Sequence, residues 1–321
     1  MSAPVTSPSP NAALRPEKVD LRVDLGPVQL PNPIVTASGC FASGREIDRF
    51  FDVSRLGAVV VKSLTLEPRA GLPTPRMAET ASGMLNAIGL QNPGIDHWLA
   101  HDLPWLNAHK VRTIVSIAGK TAHEYRQLAE RLRGAEGVIA IEANISCPNV
   151  EDRDIVFACR EASTKEAIQQ VTRVATVPVL AKLTPDVTDI VSIARTAAQA
   201  GAVGVSVINT LLGMAIDVNT MRPKLAAVTG GLSGPAIKPV AIRAVHQIHQ
   251  ALPDLPIIGM GGARSVEDVV EFILAGASAV AIGTATFSNP MITSELLDEL
   301  PRWLAARGIK RVADLRGAVK A

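Results

Sequence analysis

Eight times along this chain a short run rich in Val, Ile and Ala alternates with a longer amphipathic stretch, and this pattern narrows the possible folds more than any other feature. The runs are PIVTAS (33–38), AVVVKS (58–63), TIVSIA (113–118), IAIEANIS (139–146), PVLAKLT (178–184), VGVSVIN (203–209), PIIGMGG (256–262) and AVAIGTA (279–285). Such near-continuous apolar runs are how parallel strands covered on both faces read in sequence. Helical patterns follow most of them, at 121–134, 187–201, 234–252 and 265–277. Repeated eight times, the alternation predicts a (β/α)8 barrel, with a doubly wound open sheet as the alternative. Ahead of the first strand, LRVDLGPVQLPNP (21–33) reads as a small β-hairpin capping the bottom of the barrel. Residues 1–18 hold four prolines, three serines and no apolar run, so they read as a disordered tail without a secretory signal. That leaves 19–321 as one domain.

Charge decides what the domain does not do. Lys plus Arg (32) and Asp plus Glu (30) nearly cancel and are mixed along the chain, so there is no basic track for nucleic acid. Two charge-free stretches, 196–216 and 272–294, are long enough to raise a membrane helix, but glycines, serines, asparagines and a proline interrupt them. They suit a helix end, a turn and a buried strand, and no membrane span is expected. Cys40, Cys147 and Cys159 follow no metal-ligand spacing, which argues against a disulfide framework or a zinc site and for a reducing cytoplasm. His246 and His249 lie three apart on one helix, but with no further ligand nearby they read as a solvated face, and no metal site is expected. The basic end, 302–320, reads as a solvated terminal helix.

Barrel chemistry sits at the carboxyl ends of the strands. There this chain places Ser38-Gly39, Lys62-Ser63, Asn144 with Cys147 just beyond, Lys182, Asn209-Thr210, Gly261-Gly262 and Gly283-Thr284. Singly, each has a plain structural reading as a turn glycine, a snorkelling lysine or a small core thiol. Together they put two lysines and several amides on one rim. The glycine pairs after the seventh and eighth strands expose backbone N–H groups where a phosphate can come close, which predicts a phosphorylated ligand. Lys62 and Lys182 would stabilise negative charge on a ligand ring, or one of them would form a Schiff base.

NISCPNV (144–150), GMLNAIGLQNPG (83–94), TGGLSGPAIKP (229–239) and IIGMGG (257–262) lie in order on one chain, and with them the sequence resembles a dihydroorotate dehydrogenase over roughly 21–290. NAIGLQNPG and INTLLGMAID (208–217) look most like the class 1B, NAD-linked catalytic subunit. The resemblance implies an FMN-containing barrel that oxidises dihydroorotate to orotate in pyrimidine synthesis. It makes Cys147 the catalytic base. Substrate would be held by Lys62, by Asn86 to Leu90 (Asn86, Ala87, Ile88, Gly89, Leu90), and by Asn144, Asn149, Asn209 and Thr210. FMN would be held by Ser38, Lys62, Ser63, Ser116, Asn144, Lys182, Ile208, Gly234, Gly261, Gly262, Gly283 and Thr284, the last two glycine-bearing pairs around its phosphate.

Two positions depart from the family pattern: Ser116 stands where an asparagine is usual, and EDRD (151–154) follows SCPNV where the loop usually contains glycine. No GxGxxG follows a strand with an acidic residue about 20 positions on, and three cysteines cannot supply the four ligands of an iron–sulfur cluster. The resemblance therefore implies a partner: an electron-transfer subunit carrying FAD and a [2Fe–2S] cluster, in a heterotetramer built on a homodimer of this chain. The alternatives are a fumarate-linked class 1A-type enzyme, a dihydropyrimidine dehydrogenase-like enzyme, a Schiff-base phosphate-binding barrel and a non-catalytic flavin-binding subunit.

Overall fold

The computed structural model describes residues 14–145 and 156–320. Eight strands form one sheet: β1 Ile34–Thr36, β2 Val59–Val60, β3 Thr113–Ile117, β4 Val138–Asn144, β5 Val179–Leu183, β6 Gly204–Val207, β7 Ile257–Met260 and β8 Ala279–Ile282. All neighbours are parallel, in the order β1-β8-β7-β6-β5-β4-β3-β2. A parallel bridge between Val35 and Ala58 brings the two ends of that order together. Thr36 reinforces the seam, its hydroxyl donating to the Val60 carbonyl (3.2 Å) and accepting from the Val60 amide (2.9 Å). The sheet is thus a barrel, as the alternating pattern predicts.

Helices Ala122–Arg131, Glu161–Thr172, Ile190–Gln199, Lys238–Ala251, Val266–Ala275 and Ile292–Ala305 follow β3 to β8 and cover the outside. Several start where a polar side chain satisfies an orphan amide. Thr121 accepts from Glu124, Asp189 accepts from Ser192, and Ser265 forms a reciprocal capping box with Asp268. The sequence reading extends the helix after β6 over 234–252, but positive-φ Gly234 and Pro235 give a 3-10 turn, Pro235–Ile237, before the helix proper. The charge-free stretch 196–216 resolves into a helix end, a turn, β6 and a cap strand. Among the described residues no helix is long and apolar enough to cross a membrane.

At the amino end of the barrel, Val23–Leu25 and Val28–Leu30 form the antiparallel hairpin, with Gly26 against Val203 just ahead of β6. The last residues are not a solvated helix. After Ile292–Ala305 the chain turns through Val312–Leu315, and Arg316 donates to the carbonyls of Gly276, Pro253 and Leu255. His249 packs beneath Gly276 and Gly317, so it is held in this junction and does not sit on a solvated face.

Over the carboxyl end sits a second sheet that strand patterns did not reveal. Met77–Thr80 and Gly83–Asn86 follow β2, while Leu211–Met214 and Thr229–Ser233 follow β6, and all four pair antiparallel. These strands are four or five residues long and partly glycine, and they leave Met77, Leu212 and Met214 exposed. Neither a long apolar run nor a buried alternating face marks them.

Candidate active site

The rim is built where each barrel strand runs out. Lys182, the fourth residue of β5, is 4% exposed and donates from Nζ to Ser38 Oγ (3.1 Å) just past β1. Lys62, two residues past β2, reaches the same segment: a Cβ placed on Gly39 would lie 3.7 Å from its Nζ. Cys40 follows directly, and burial pushes its thiol up to about 11 against the opposing pull of Lys182 and Lys62. A Cβ on Gly283 would lie 3.5 Å from the Cys40 sulfur, which brings the end of β8 to the same place. Two ammonium groups from separated strands thus converge on residues 38–40. The thiol between them stays protonated at neutral pH, in keeping with a packed side chain.

A hydroxyl and amide cluster stands beside them. Ser63 Oγ lies 2.9 Å from Ser116 Oγ and accepts from Asn144 Nδ2 at 3.0 Å, and all three residues are buried. The Tyr125 hydroxyl, from the helix after β3, donates to the Asn144 carbonyl at 2.6 Å and fixes the end of β4. Ser116 spends its hydroxyl on Ser63, so this departure from the family pattern is absorbed inside the cluster.

The cap sheet positions a third group. Asn86 pairs with Gly231 in the ladder, and its Nδ2 donates to the Gly231 carbonyl (3.3 Å). Any side chain at Gly231 would collide with Thr210, so the glycine lets Thr210 and Asn86 approach one another. Asn209 is tied to the barrel through its amide, which donates to the Leu183 carbonyl (2.8 Å). Ile208 is buried, with its amide on the Met260 carbonyl (3.1 Å). Residues 87–90 are pinned by Asn92, which donates to the Leu90 carbonyl (2.7 Å) and accepts from the Thr65 amide (3.2 Å). The end of NAIGL is thereby tied through Asn92 to Thr65, two residues past Ser63. Asn92 is the hub that motif reading passed over, although it stands in the quoted QNPG.

Beyond β7, Gly262 has φ +82°, and a Cβ there would come within 2.6 Å of the Gly234 carbonyl. Only glycine lets the turn after β7 close this tightly on Gly234, which links the cap strand Thr229–Ser233 to the 3-10 turn Pro235–Ile237. Asp268 faces the cradle's outer wall, accepting from the amides of Arg264 and Ser265. Burial raises its pKa, but the Lys238 ammonium at 2.6 Å and these amides outweigh burial and keep it ionised. Lys238 also binds Glu271 (2.6 Å), so one ammonium bridges both carboxylates. Gly283 and Thr284 lead into the short helix Ala285–Ser288. A glycine-lined cradle with two converging ammonium groups fits a large, flat, phosphorylated anion such as FMN.

The structure therefore groups Ser38, Lys62 and Lys182; Ser63, Ser116 and Asn144; Asn86 and Thr210; and Gly234 with Gly261 and Gly262. Cys147 and Asn149, and with them the EDRD segment, lie outside the described residues.

A family model described as dihydroorotate dehydrogenase matches residues 20–304. Among curated proteins, the chain is 52% identical over 296 residues to the catalytic subunit of dihydroorotate dehydrogenase B (NAD(+)) of Listeria monocytogenes, covering 92% of this chain and 97% of that one. The subunits of the same name from Anoxybacillus flavithermus (53% over 297 residues) and Geobacillus kaustophilus (52% over 297 residues) are similar across 92% of this chain and 95% of theirs.

Proposed function

The chain belongs to the dihydroorotate dehydrogenase family, and from that premise we propose that it oxidises dihydroorotate to orotate in pyrimidine synthesis and is the catalytic subunit of an NAD-linked enzyme. The observation that carries this reading is the convergence of Lys62 and Lys182 on residues 38–40 beside the Gly234–Gly262 cradle. FMN bound at this rim would supply the hydride acceptor. Lys182 offers a fixed positive charge to the flavin ring, and Ser63, Ser116 and Asn144 offer it hydrogen bonds. The amides of Gly261, Gly262 and Gly283, with Thr284, would hold its phosphate.

Dihydroorotate carries a carbon acidified by its neighbouring carbonyl. Cys147 takes that proton at Sγ, and the adjacent carbon gives up its hydride on the opposite face. Asn86, Asn144, Asn149, Asn209 and Thr210 orient the ring's amides and carbonyls. Lys62 answers the substrate carboxylate, the group that separates this substrate from uracil or thymine.

Electrons leave through a second subunit carrying FAD and a [2Fe–2S] cluster, bound to a homodimer of this chain. The test uses the purified chain. With dihydroorotate it is expected to reduce an artificial dye, and to form NADH only once that second subunit is added. NADH production by the chain alone would overturn the partner, and rapid fumarate reduction by the chain alone would replace it with the class 1A-type acceptor.

A further inference from the structure

β4 carries a carboxylate where barrel interiors are dominated by branched aliphatic side chains. Glu142 is 0% exposed, and neither of its carboxylate oxygens has a hydrogen-bond partner among the described residues. It stands two residues before Asn144, so both side chains leave the same face of β4. That face is the barrel interior, because Asn144 reaches across to Ser63 and Ser116 lies beside Glu142 in the β3 register. On the other side, Glu142 pairs with Leu180 of β5, and Asn144 pairs with Lys182. Glu142 is therefore one tier below Lys182 on the neighbouring strand. Strand spacing and rise put their backbone positions about 8 Å apart on the diagonal, within reach of two long side chains.

A buried carboxylate that meets no protein donor keeps its charge in a core only when an opposite charge compensates it. Lys182, itself buried, is the cation in the tier above. We propose that Glu142 is the buried counter-charge of Lys182, a positioning residue that lowers the reduction potential of the cofactor held at the rim. The proposal rests on reading the rim as a flavin site. Lys182 stabilises the negative charge that the cofactor gains on reduction, and a carboxylate beneath it offsets part of that stabilisation. The reduced cofactor is then a stronger donor to an NAD-linked partner.

The experiment compares holoenzymes carrying Glu142→Gln, Glu142→Asp and Glu142→Leu by FMN content and midpoint potential. Removing the charge in Glu142→Gln is expected to leave FMN bound and to favour its reduced form about tenfold, a positive shift of about 30 mV for a two-electron couple. Glu142→Asp keeps the charge and is expected to stay near the parent potential. Glu142→Leu removes the charge with an apolar side chain and is expected to shift in the same direction as Glu142→Gln. The FMN-free proteins give a second readout: in a thermal-unfolding cycle, Lys182→Met combined with Glu142→Gln is expected to be more stable than the sum of the single effects. Unmoved potentials in both charge-removing variants, or strict additivity in the cycle, would overturn the counter-charge. A parent chain that neither carries nor takes up flavin would overturn the rim assignment instead, while the FMN-free cycle still decides whether Glu142 and Lys182 are paired.

Discussion

At the amino end of the strands, Arg112 donates to the carbonyls of Ser54, Leu56 and Gly57, and Arg316 donates to those of Pro253, Leu255 and Gly276. At the carboxyl end, Lys182 donates to the Ser38 hydroxyl, and Lys62 stands beside Gly39. The guanidinium groups are planar forks with five donors, suited to gathering several loop carbonyls at once. Burial lowers the pKa of both arginines; Arg112 gathers the loop that enters β2, and Arg316 gathers the loops that enter β7 and β8. A lysine is a compact point charge, and Lys182, with the Ser38 hydroxyl as hydrogen-bond partner and Glu142 proposed one tier below, keeps its ammonium at the rim. Cations at one end close the barrel, whereas those at the other end face a place for an anion.

The sharpest way to separate the two ends is to remove the base. Cys147→Ala is expected to keep FMN absorbance while cutting turnover by at least about 100-fold, the lower range for loss of a general base. Cys147→Ser is expected to recover part of that rate only at higher pH, because a hydroxyl is far less acidic than a thiol of ordinary pKa about 8.5. Next in size, Lys182→Ala is expected to weaken FMN retention on dilution by roughly tenfold and to lower its midpoint potential. Arg316→Ala tests the other end: equilibrium unfolding in urea is expected to lose about 2 kcal/mol as three carbonyls lose their donor. Its kcat/KM at 25 °C is expected to match the parent's, and a large activity loss in the folded variant would blur the division between the ends.

The smallest effect concerns His249, at the amino-end junction. Burial, then the charges of Arg316 and His246, lowers its pKa below the ordinary histidine value. The unfolded chain therefore binds this proton more readily than the folded one. Stability is held above about pH 6.5, where the imidazole is neutral in both states, and falls as pH drops from there through the lower folded value. Urea midpoints between pH 7.5 and 5.5 are expected to decline less steeply in His249→Gln than in the parent.

The barrel was legible because its strands are buried on both faces and read as apolar runs, and because polar residues stand at the run ends Lys62-Ser63, Asn144, Lys182 and Asn209-Thr210. The cap sheet was not, since Gly83–Asn86 and Thr229–Ser233 are held by ladders to residues more than 140 positions away, which no local pattern reports. Arg316 was absorbed into a basic tail because its partners are backbone carbonyls, which carry no sequence signature. Glu142 was visible as a lone charge inside IAIEANIS, in phase with Asn144, but was passed over beside the louder NISCPNV that follows.

The most direct measurement of the central claim is the visible spectrum of the purified chain before and after anaerobic dihydroorotate. The account predicts a yellow protein whose flavin absorbance bleaches on addition of substrate, and a Cys147→Ala protein equally yellow that does not bleach at a comparable rate. A colourless protein that borohydride traps covalently on a lysine in the presence of substrate, or a bound flavin indifferent to dihydroorotate, would contradict it.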